Sequence, residues 1–116
     1  MNSDLKRVDT SAMQRILNAV EALATERDSA LALDAALVEL SPLFRRDFPD
    51  GNTRESFERY RAIIEAELAR IHDRGVAESR RRFEGMDPEH ERDLRKAIVD
   101  LMLACYYHNL DASETR

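Results

Sequence analysis

Six residues set the strongest limit on what this chain can fold into. It has only three glycines and three prolines in 116 positions. An all-β protein needs a turn about every 8–12 residues, and Pro42, Pro49, Gly51, Gly75, Gly85 and Pro88 cannot supply that many. The stretches between these breakers carry apolar residues at helical spacing. The expected fold is therefore all-α, a small bundle of four to five helices. A chain of this length suits one domain, placed at residues 11–110, with a flexible N-terminal segment at 1–10 and a flexible tail at 111–116.

Local signals divide the domain. Ser11 with Gln14 three residues later has the pattern of a capping box. Met13, Ile16, Leu17, Val20, Leu23 and Ala24 then follow on one stripe, with Arg15, Glu21 and Thr25 outside it. The polar run from Thr25 to Ser29 marks a joint, with Asp28 or Ser29 capping a second helix. That helix, residues 31–40, is apolar almost all round and so is expected to be buried on several sides. Ser41-Pro42 reads as a cap and first-turn proline, opening a short helix over Leu43, Phe44 and Asp47. The turn at residues 48–52 precedes a cap at Asn52 or Thr53. A long helix over 53–84 follows, with a bend at Gly75 as the alternative to an unbroken run, and with Phe57, Tyr60, Ile64, Leu68 and Ile71 on one stripe. If unbroken it would span about 48 Å and overhang a globule of about 14 Å radius of gyration. The reading favours continuity, and a second copy to cover the overhang. Asp87-Pro88 opens the last helix by the same cap-plus-proline logic.

That last helix is the most informative segment. At about 100° per residue, Leu94, Ile98, Leu101 and Cys105 form one apolar stripe. Val99, Leu103, Tyr106 and Leu110 form a second, roughly opposite, and Met102 fills the arc between them. One stripe suffices to dock a helix; two mean a central core helix or a surface meant for another chain. The candidate partner-binding residues are Val99, Met102, Leu103, Tyr106, Tyr107 and Leu110, since aromatic and Met side chains are enriched in interfaces. The 27 Leu, Ile, Val and Phe residues are 23% of the chain, a modest core if some of them serve a partner.

Charge and cysteine content narrow the partners. The net charge is −5, which weighs against nucleic acid, and only the middle region, residues 53–86, is net basic. The lone Cys105 has no intrachain disulfide partner. The longest uncharged run, residues 101–110, is about half of a membrane span. No apolar stretch follows the charged start, so no secretory leader is expected. The expected setting is a bacterial-style, reducing cytoplasm.

Chemistry finds little to stand on. His72, His90 and His108 lie 18 apart, but Asp87-Pro88 interrupts any common helix. Asp87-x-x-His90 and Cys105-x-x-His108 are each half a metal site at best. Cys105 lies in an apolar stripe with no cation or helix N-terminus to activate it. Three isolated glycines make no phosphate loop. No enzyme activity, cofactor or metal is expected.

Two motifs offer rival functions. His72-Asp73-Arg74-Gly75 resembles the His-x-x-Lys-Gly of histidine phosphotransfer domains, which are helical bundles of about this size. It is one residue short, and Glu78 stands where those domains tend to have small residues. The resemblance would imply a signalling module phosphorylated on His72. Arg70, Arg74 and Arg81, with Arg80 and Arg82 beside them, would align on a continuous helix to meet anions, an acidic partner or nucleic acid. Asp73, Glu78 and Glu84 dilute that stripe, and Glu67–Arg70 and Glu78–Arg81 fit helical ion pairs. The preferred expectation is a non-catalytic, homodimeric protein-binding module: an inhibitor, anti-activator, immunity protein, secretion chaperone or adaptor. The alternatives are the His72 phosphotransfer module and a nucleic-acid-binding dimer using the Arg70–Arg82 stripe.

Overall fold

Asp9 starts the first helix. Its carboxylate accepts from the Ser11 amide at 3.2 Å and also from the Ser11 hydroxyl, and these bonds hold it below its ordinary carboxylate value. The cap therefore lies two residues before Ser11, because an Asp side chain reaches the free amides of the first turn from there. α1 runs Thr10–Thr25 and α2 Ser29–Leu40, with Asp28 capping α2 through the Leu31 amide. A single 3-10 turn, Arg45–Asp47, leads into α3, Gly51–Asp73, and α4 covers Pro88–Glu114. This computed structural model describes residues 6–49, 51–73 and 82–114. Among them there is no strand.

Several boundaries differ from expectation. Ser41 closes α2, its amide donating to the Leu37 carbonyl, so it is the end of one helix and not the cap of another. The segment after Pro42 makes one 3-10 turn, with Asp47 and Phe44 exchanging hydrogen bonds. α3 already begins at Gly51, so neither Asn52 nor Thr53 is its cap. Gly75 lies outside the described residues. Arg82–Gly85 nonetheless form a turn, so the helix over 53–84 does not reach its expected end. Gly85 has φ +79° in this turn, and the Met86 amide donates to the Phe83 carbonyl across it. A positive φ at that position suits Gly, which has no Cβ to clash. Asp87 then caps α4 through the Glu89 amide at 2.8 Å, with Pro88 as the first helical residue.

In packing, α1 lies against both α2 and α4, and α3 lies against α4. The α1–α4 pair is antiparallel: the Val8 amide donates to Asn109 Oδ1 at one end, and Arg95 donates to the Leu23 carbonyl at the other. α1 buries Ala12, Ile16 and Ala19, while α2 buries Ala30, Ala32, Leu33, Ala36 and Leu40. This pair therefore closes largely on methyl-sized side chains. Arg15 and Asn18 fasten it by reaching Glu39. The larger side chains fill the space below. Phe48 stacks on Phe57 with ring centroids 4.4 Å apart, and Tyr60 lies next in line. Burial of Tyr60 pushes its phenol pKa upward. Ile16, Leu33, Ile64, Ile71, Leu94, Ile98 and Leu101 complete one continuous core.

α2 is apolar almost all round yet not enclosed, since Val38 is more than half exposed. The turn before α4 is tied to α2 by Arg82, whose Nε lies 2.6 Å from Asp34 Oδ1 but out of hydrogen-bond alignment. The radius of gyration is 15.1 Å and the extents are 51 × 26 × 23 Å. A compact chain of this length would have a radius of about 14 Å, and one extent is about twice the other two, so the bundle is elongated.

Candidate interaction surface

The two stripes of α4 have different fates. Leu94, Ile98, Leu101 and Cys105 are all within 1% of complete burial. On the far side, Val99 is 36% exposed, Leu103 39%, Tyr106 52%, Tyr107 60% and Leu110 39%. Met102 is half-buried on the flank of the core. At 100° per residue the outer stripe is centred about 150° from the buried one. The core face of α4 is thus already filled by α1 and α3, and the outer apolar face is additional.

Neighbouring features extend this face. Arg95 points to α1, so the α1 side of α4 is the side on which Tyr106 also lies. In the antiparallel register Leu17 of α1, 45% exposed, falls on the same outer side of the α1–α4 seam. Tyr106 and Tyr107 meet edge to face at 5.5 Å between ring centroids. That contact restricts two large rings before any partner arrives. Residues 101–110 carry no charge, while Lys96 and Asp100 pair at 3.0 Å before that run.

The other candidate residues are described only in part. His72 is exposed at the end of α3, and Arg74 and Arg81 lie outside the described residues. Arg70 hydrogen-bonds Glu67, which is 5% exposed. That bond raises the Arg70 pKa further. Arg82 belongs to the turn and faces Asp34, so it does not extend a helical basic stripe. His90 is exposed on α4 and borders a groove of about 350 Å³ between α3 and α4, with Ala62, Ala66, Glu67, Arg70 and Met86. His108 is buried and its ring bonds the Lys6 carbonyl. Among the described residues, no three His, Cys, Asp or Glu side chains gather as metal ligands would. No helix among them is long and apolar enough to cross a membrane.

A clamp at the end of α4 was not legible in the sequence. Asn109 accepts from the Val8 amide at 2.8 Å and donates to the Val8 carbonyl at 3.2 Å. With His108 holding Lys6, this fixes residues 6–8, inside the segment expected to be flexible, along the last turns of α4. Val8 itself is 2% exposed. The helix also continues to Glu114 with Ala112 buried, past the expected start of the tail. The signal available was thin, Val8 and Leu5 standing as apolar residues among charges.

No family model, no curated protein and no solved structure matches this chain.

Proposed function

We propose that this chain is a non-catalytic protein-binding module whose working surface is the outer face of α4. The observation that carries the reading is the exposure of Val99, Leu103, Tyr106, Tyr107 and Leu110 on a helix whose core face is already complete. Isolated surface apolar residues need no explanation, whereas an aligned, contiguous set with two aromatic rings is the composition of an interface. Such a module acts by occlusion, covering an apolar surface of its target as an inhibitor, anti-activator, immunity protein, chaperone or adaptor would. The buried thiol of Cys105 and the absence of any other cysteine suit a reducing, cytoplasmic setting.

The test compares wild type with Leu103→Asp as bait in native cell extract, with His72→Ala as the control. Leu103 is on the surface, so the substitution leaves the core intact, which circular dichroism checks. The expected outcome is a defined partner, another protein or further copies of this chain, that is retained by wild type and His72→Ala and lost with Leu103→Asp. Loss with His72→Ala and retention with Leu103→Asp would overturn the reading in favour of phosphotransfer.

A further inference from the structure

We infer that the occupant of the outer α4 face is a second copy of the same chain, paired antiparallel about a two-fold axis midway between Leu103 and Tyr106. This rests on the reading of that face as an interaction surface and adds its partner and register. A two-fold interface must be self-complementary, and the spacing of this stripe meets that condition. With the axis at that point, Val99 falls level with Leu110 of the other copy and Leu103 with Tyr106, and all four lie within about 30° of the centre of the stripe. Each of these four apolar residues meets an apolar residue, while Met102 and Tyr107 flank the contact on opposite edges.

Area points to a weak dimer. Lys96, at the N-terminal edge of the stripe, is held by its own Asp100 at 3.0 Å, so the pairing of copies rests on apolar contact. Given the exposures above and about 150–250 Å² for a whole aromatic side chain, the stripe offers about 500 Å² per copy. Two copies then bury about 1,000 Å², the lower bound for a specific interface. A concentration-dependent dimer is the consequence, not a permanent one.

The experiment combines sedimentation equilibrium of the full chain with thiol cross-linking. Wild type is expected to approach twice its 13.4 kDa protomer mass as concentration rises, and Leu103→Asp to weaken association at least tenfold. For the register, Val99→Cys and Leu110→Cys proteins are made separately and treated with a short bis-maleimide, alone and mixed. The buried Cys105 stays out of reach in the folded chain, and a Cys105→Ala background verifies this. The mixture is expected to yield the Val99→Cys to Leu110→Cys product. Val99→Cys alone is expected to yield little, since two such positions lie about 16 Å apart along the axis. A wild type that stays monomeric at hundreds of micromolar overturns the inference, as does efficient cross-linking of Val99→Cys to itself. A monomer that still captures another protein in a Leu103-dependent way overturns the dimer and leaves the proposed function standing.

Discussion

The side-chain amide of Asn109 satisfies both backbone groups of Val8, as a neighbouring strand would, although neither residue is in a strand. Two part-buried hydrogen bonds of this kind contribute about 0.5–1.5 kcal/mol each. Asn109→Ala is therefore expected to lower stability by about 1–2 kcal/mol in urea unfolding. It should also raise hydrogen exchange at the Val8 amide well before the amides of α4 open. Unchanged Val8 protection would mean that burial of the Val8 side chain, and not the clamp, holds the segment. The neighbouring bond from the His108 ring to Lys6 lies outside this comparison and serves as an internal reference.

At the scale of elements, the sharpest device is the Arg82–Gly85 turn that precedes α4. Gly85 there holds φ +79° with open space around the position of a Cβ. A substitution is penalised by backbone conformation and not by a clash. Gly85→Ala is expected to cost about 1 kcal/mol, read as a lower urea midpoint with an unchanged slope. Arg82→Ala, which frees Asp34, tests the other tether of the same turn. The helices were legible because breakers are few and because Asp28 and Asp87 stand where a cap side chain must. The start of α1 was misplaced because Ser11 offers the cap pattern while Asp9 supplies the hydrogen bond. The α1 face was rotated for a different reason. Ala12 and Ala19 carry too little hydrophobicity to register as a stripe, yet they let α1 and α2 close together. Leu17, which registers strongly, is displaced outward. The second stripe of α4 was visible in sequence at every residue. Whether its own fold would cover it was not, since that depends on where α1, α2 and α3 lie.

For the whole molecule, the chain turns at 82–85 and a helix over 53–84 falls short of its expected end, so its length carries no weight for a second copy. The case for one rests on α4 alone, and the net charge provides an independent way to weigh it. Each copy carries −5, so two copies repel at long range while their apolar stripes attract at contact. Salt screens the repulsion over a Debye length of about 10 Å at 0.1 M and leaves apolar burial intact. Self-association is therefore expected to strengthen several-fold between about 20 and 200 mM salt, because screening removes the long-range term first. A basic target steered by the acidic surface would behave oppositely and bind more weakly as salt rises. Sedimentation equilibrium across that range separates the two, since the sign of the slope reports which charge the α4 face meets. A dimer that dissociates with added salt would show that ion pairs, and not the Val99–Leu110 stripe, hold the copies together.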